Sequence, residues 1–161
     1  MSYYNFQKSM KLAPQCKYYK MAGQQTDELI EKLENVYGFR LSMQHHEFFK
    51  EYGYIMFFGT EIYGIYKDVF EGIYAGNAVI ATLRDREEYN LPKKWIPLYD
   101  YDDGYKAYLD YAYLNSDNEP RVVLGIFTGQ EYEMMEIISE DLGDFLLELV
   151  EQQLAEQSLK E

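Results

Sequence analysis

Histidine, cysteine and clustered carboxylates are the side chains here that could carry catalysis or hold a metal. His45 and His46 are the only histidines. Being adjacent, they cannot form the i, i+4 pair of a helical zinc site, and His45-His46-Glu47 is not His-Glu-x-x-His. His45 recurs at helical spacing with Phe48, Phe49 and Tyr52, which assigns it to the core or its margin and turns His46 toward solvent. Cys16 is the single cysteine, so no disulfide and no thiolate metal site can be assembled within one chain. Asp100-Tyr101-Asp102-Asp103-Gly104 invites a calcium-loop reading, but an EF-hand loop needs glycine at its sixth position and glutamate at its twelfth. Here glycine comes at the fifth and the twelfth is Tyr111, so the segment reads as a hairpin turn in which Gly104 takes a positive φ. No phosphate loop, dinucleotide fingerprint or nucleophile elbow occurs. The expectation is a protein without catalytic residues, metal or cofactor.

Charge is unevenly spread. The chain has 161 residues and a net charge of −13, yet residues 1–98 carry 12 acids and 12 bases. Residues 99–119 carry six acids against Lys106, and residues 130–161 carry ten against Lys160. Nucleic acid and anionic lipid would be repelled by such a surface, whereas a basic protein would be attracted. An acidic surface that merely keeps the protein soluble is the plainer alternative. No apolar run reaches the ~20 residues of a membrane helix, and the N-terminus has no signal-peptide pattern, so a cytoplasmic protein is expected.

The elements that must position these residues follow from periodicity. Tyr3, Phe6 and Met10 predict a short leading helix before Pro14. Thr26 caps a second, with Leu29, Leu33 and Val36 on one face and Gly38 at its end. Ser42 caps a third, closed by Gly53. Segments 54–58 and 61–66 read as a hairpin about Gly59, and 75–88 as a helix. Strands follow at 95–99, 105–114, 121–128 and 132–138, and Ser139 caps a closing amphipathic helix with Asp144, Glu148 and Glu151 outward. This makes an α+β layer structure of about five to six mostly antiparallel strands, packed with N- and C-terminal helices in a single domain over 1–161.

Tyr37-Gly38-Phe39-Arg40-Leu41, then Tyr52-Gly53, Tyr63-Gly64-Ile65, Leu91-Pro92 and the turn at Gly104 come in the order of the SMI1/KNR4 or SUKH superfamily, which the chain resembles over about residues 26–155. Residues 1–25 are expected to form an N-terminal helical extension outside that resemblance. Ser42 stands where that family usually has proline, and His45 where it commonly has an aromatic residue. The resemblance implies a binding protein. Its bacterial branch is similar to immunity proteins that neutralise a partner toxin, often a nuclease, and its fungal branch to regulatory scaffolds.

Six tyrosines at 99, 101, 105, 108, 111 and 113 surround the acidic turn. Strand alternation sends about half of them to the core and leaves the rest as interface anchors. The expected partner-binding residues are Tyr99, Asp100, Tyr101, Asp102 and Asp103, with Glu131 and Glu133 beside them, and the expected partner is a basic protein toxin of the nuclease class. A scaffolding module is the alternative. A small-ligand receptor or enzyme with a pocket lined by Trp95 and tyrosines is another.

Overall fold

Helix α1 (Ser2–Leu12) buries Phe6 and Met10 on one face and gives way to a 3-10 turn at Ala13–Gln15, where Pro14 removes a backbone donor. The computed structural model describes residues 2–66, 70 and 76–160. Strand β1 (Lys20–Met21) follows, then α2 (Asp27–Tyr37). The Thr26 hydroxyl accepts from Leu29 N at 3.1 Å, and Gly38 ends α2 at φ 91°. Ser42 caps α3 (Met43–Glu47), which widens into a π-helical turn at Phe48–Tyr52 and stops at Gly53. Strands β2 (Ile55–Phe57) and β3 (Thr60–Ile62) make the hairpin, with both turn residues, Phe58 and Gly59, at positive φ.

Helix α4 (Ala78–Tyr89) is capped by Asn77, and the start expected at Ala75 lies outside the described residues. Strands β4 (Trp95–Asp100), β5 (Tyr105–Leu114), β6 (Pro120–Phe127) and β7 (Tyr132–Ser139) form an antiparallel meander, and α5 (Leu142–Leu159) closes the chain.

The strands divide into two sheets, β1-β2-β3 and β4-β5-β6-β7. Among the described residues, seven strands therefore stand in place of the five or six expected. Lys20–Met21 is too short to show alternation, and it is a strand by virtue of its pairing with Met56 and Ile55 of β2. Ser139 is a second departure, since it ends β7 while the buried Asp141 caps α5 by accepting from Asp144 N at 2.9 Å.

One face of the four-stranded sheet carries Ile96, Leu98, Ala107, Leu109 and Val122 into the main core, against Phe6 and Met10 of α1 and Phe145, Leu146 and Val150 of α5. A bulge between Pro97 and Tyr99 turns both Leu98 and Tyr99 toward this core. The opposite face carries a smaller cluster of Trp95, Tyr108 and Val123 with Leu91.

Candidate functional site

Register decides which predicted residues meet. Because β4 ends where β5 begins, and β5 begins opposite the end of β6, the turns at 101–104 and 128–131 lie at the same end of the sheet. The acidic turn and Glu131 and Glu133 are thereby brought to one end of the molecule. Strand β7 separates its side chains by face. Glu133 pairs with Ile126 and Glu136 with Leu124, on the same side as Val122 and α5. Tyr132, Met134 and Ile137 share the other face with Phe127, Gly125 and Val123, and bulges in between keep that sorting.

Tyr99 and Tyr101 form an edge-to-face pair with centroids 4.7 Å apart, and Tyr99 leans on Phe145 at 6.5 Å. Tyr99 is half-buried and Tyr101 is 36% exposed, so the first anchors the second. The Tyr101 phenol is held above its ordinary range by burial and by the neighbouring Tyr99, Glu148, Glu136 and Asp103. Those neighbours show that β7 and α5 supply carboxylates to the same patch. Glu148 extends it toward a groove of about 690 Å³ between α1 and α5, lined by Asn5, Asp144, Leu147, Glu151 and Gln152. Glu136 and Glu148 went unassigned from sequence. The outward face of α5 already contained Glu148, but only tertiary packing sets it beside Tyr101.

The expected aspartates are not equivalent. Asp100 Oδ1 accepts from Asp102 N at 2.8 Å, and its other oxygen lies 3.9 Å from Lys106 Nζ. Asp103 Oδ1 accepts from Tyr105 N at 3.0 Å. Both shape the turn, whereas Asp102, at φ 61°, presents an exposed carboxylate. A larger groove of about 730 Å³ along α2 is also acid-lined, but Asp27 there is bound to Lys50 at 2.8 Å and Glu34 accepts from Leu41 N at 2.7 Å. Two of its three carboxylates, Asp27 and Glu34, thus serve the fold.

Tyr108 is buried, Tyr111 is half-buried, and Tyr113 is 60% exposed with the Arg121 guanidinium 3.9 Å from its ring. Of the six, Tyr108 alone is fully in the core, Tyr101 and Tyr113 are exposed, and Tyr99, Tyr105 and Tyr111 lie between. Trp95 is 8% exposed: it packs on Tyr108 and Tyr132, and a side chain at Gly125 would meet its ring at 2.8 Å. Beside it lies a cleft of about 330 Å³ with Tyr89, Phe127 and Tyr132 on its walls, at the lower end of small-molecule sites. Asp85 in that cleft is already engaged by Arg84 at 3.3 Å and Lys106 at 3.9 Å.

Both histidines are accounted for locally. His45 is 1% exposed, its Nδ1 lies 2.7 Å from the Tyr111 hydroxyl, and its ring meets Phe49 edge-on. Burial, with a smaller contribution from His46, drives its pKa down to about 3. It is a neutral core residue, as its place on the apolar stripe predicts. His46 is half-buried rather than solvated, because it lines the α2 groove. Among the described residues no group of three or more His, Cys, Asp or Glu is arranged to hold a metal ion. No described helix is long and apolar enough to cross a membrane.

A model of the SMI1-KNR4 cell-wall family, one of the SUKH group, matches residues 11–151. The chain belongs to the SMI1-KNR4 family. No curated protein matches it. The motif that carried the resemblance now has a physical reading. Gly53 and Gly64, the two glycines of its Tyr- and Gly-rich segments, cross backbone against backbone, with Ile65 N donating to Gly53 O at 2.7 Å. In this chain the two glycines permit a close approach that side chains would block.

The two positions where this chain departs from the usual family pattern lie in one buried polar cluster. Ser42 N donates to Tyr111 Oη at 3.0 Å, and Gln44 N donates to Glu119 Oε2 at 3.2 Å. Glu119 is 1% exposed with Oε1 unpaired, and burial raises its pKa, with Asp141 adding to the rise. A raised carboxyl favours the fold below its unfolded pKa and ceases to do so as pH rises through the folded value. Glu119→Gln removes the buried charge and retains an acceptor for Gln44 N. At pH 7 it is expected to stabilise by about 1 kcal/mol, read as a higher urea midpoint at unchanged slope. A lower midpoint would show that the charge itself is needed.

Proposed function

We propose that this SMI1-KNR4 protein is an immunity protein that neutralises a basic protein toxin, of the nuclease class, by occupying its cationic surface. The observation that carries the reading is the convergence of Asp103, Glu136 and Glu148 around the Tyr99–Tyr101 pair, with the exposed Asp102 lining a cleft beside Tyr99. Carboxylates from a turn, an edge strand and a helix crowd one aromatic anchor, a composition suited to lysine and arginine on a nucleic-acid-binding groove. Steering by such a face accelerates association roughly 10 to 1,000-fold and weakens with salt. Tyrosine then supplies buried area with a polar tip. Inhibition by occlusion requires no reaction, in keeping with the burial of His45 and Cys16 in the fold.

Co-expression with toxins encoded beside this chain, scored by survival, tests the reading. The unmodified protein should rescue growth against one of them. Asp102→Lys/Glu136→Lys/Glu148→Lys should slow association at least about tenfold and flatten its salt dependence. Asp100 and Asp103 are poorer probes, because their reversal also unmakes the turn. Rescue that survives the triple reversal removes this face from the interface. Absence of rescue with every neighbouring toxin removes the immunity reading, and capture of a cellular partner would then favour a scaffold.

A further inference from the structure

Strand β7 ends the four-stranded sheet, and among the described residues no strand pairs with its outer side. Its backbone groups there form an open ladder, which proteins ordinarily guard with charge, bulges or a covering element. Here the guard is partial. Bulges sit at the pairings of Val122/Val123 and Leu124/Gly125, and Glu133 and Glu136 mark one face. On the other face Met134 is 45% and Ile137 55% exposed, and the bulged Met135 is 50% exposed. A soluble edge has no need of three exposed large apolar side chains in a run of four.

We propose that β7 is a docking rail for an extended segment of a cationic partner, which adds as a fifth strand to this sheet. The two stripes of β7 specify that segment. Residues facing the α5 side would be lysine or arginine, opposite Glu133 and Glu136; residues facing the other side would be apolar, against Met134 and Ile137. Main-chain hydrogen bonds supply affinity, and the alternating side chains supply register. A second copy of the chain is the wrong occupant, since two molecules of charge −13 would bring Glu131, Glu133 and Glu136 of each together. The inference rests on the reading that the partner is basic, and it adds how that partner is held.

The test needs no toxin. Two short peptides of equal charge are titrated into the full chain at low salt, one alternating lysine with valine and one alternating lysine with proline, which cannot pair in a sheet. The lysine–valine peptide should bind about tenfold more tightly and slow the hydrogen exchange of β7 amides that exchange freely in the unbound protein. Glu133→Lys/Glu136→Lys should abolish that preference, and Met134→Ser/Ile137→Ser should reduce it, both being exposed changes that leave the core intact. Equal binding of the two peptides, or protection confined to the 101–104 turn, overturns the proposal. So does a dimer whose β7 amides are protected before peptide is added. Failure here leaves the survival assay free to succeed through the acidic face alone, so the two readings fail separately.

Discussion

Gly64→Ala is expected to destabilise the fold by about 3 kcal/mol or more. A Cβ at this position would collide with the carbonyl oxygen of Gly53, and it would also lie 2.8 Å from the Gly53 carbonyl carbon and 2.9 Å from Tyr54 Cα. All three are backbone atoms, so no side chain can rotate away to make room. The glycine cannot retreat either. Its N–H donates to Gly76 O at 2.9 Å, its carbonyl accepts from Ala78 N at 2.7 Å, and the next residue donates to Gly53 O. Relief would require separating the π-helical turn and β2 from the segment that leads into α4. Overpacking against movable neighbours costs about 1–3 kcal/mol, and an immovable backbone puts this case at or above the upper end. Against a total stability of roughly 5–15 kcal/mol, that is a large fraction. Gly129→Ala supplies the contrast. It has φ 98° but nothing within 4 Å of an added Cβ, so only the left-handed conformation is penalised, at about 1–2 kcal/mol. Thermal unfolding by circular dichroism decides, and a Gly64→Ala protein that melts with the parent would refute the crossing as described.

The second large effect is loss of stability in mild acid. His45 ionises with a pKa near 6.5 once unfolded, whereas burial against Phe49 and Tyr111 lowers it to about 3 in the fold. Between those values the unfolded chain binds a proton that the folded protein refuses. The contribution of neutral His45 is therefore complete above pH 6.5 and is lost as pH falls toward 3, at up to about 1.4 kcal/mol per pH unit. Glu119 works in the opposite sense, since its raised pKa lets the fold take up a proton early, so it offsets part of the loss. Lys50, paired with Asp27 across the α2 groove, stays charged throughout the window. His45→Phe restores the residue type common at this family position and removes the titrating ring. It is expected to flatten the dependence of the urea midpoint between pH 6.5 and 4, whatever it does to stability at pH 7. An unchanged slope would mean that another group controls the acid transition.

Much of the fold is legible locally. Thr26, Ser42 and Gly38 act at the helix ends where their chemistry places them, because capping depends on residues within one turn. The meander follows from strand alternation and turn residues. The closing helix shows where local reasoning fails: Ser139 and Asp141 are both good caps, and the edge pairing of Ser139 with Val122 leaves the role to Asp141. Lys20–Met21 fails differently, since a two-residue strand has no periodicity to detect.

The site was legible in composition and only partly in membership. Residue types established the acidic and aromatic bias after residue 98, the lack of a catalytic spacing, and the burial of His45, because charge, spacing and a helical stripe are properties of the chain alone. Tertiary structure decided that Glu136 and Glu148 join Tyr101, that Asp100 and Asp103 are committed to the turn, and that β7 separates its acids from its methionine and isoleucine. Those outcomes depend on register and on the bulges within it. A shift of one residue exchanges the two faces of a strand, and no local pattern specifies that shift.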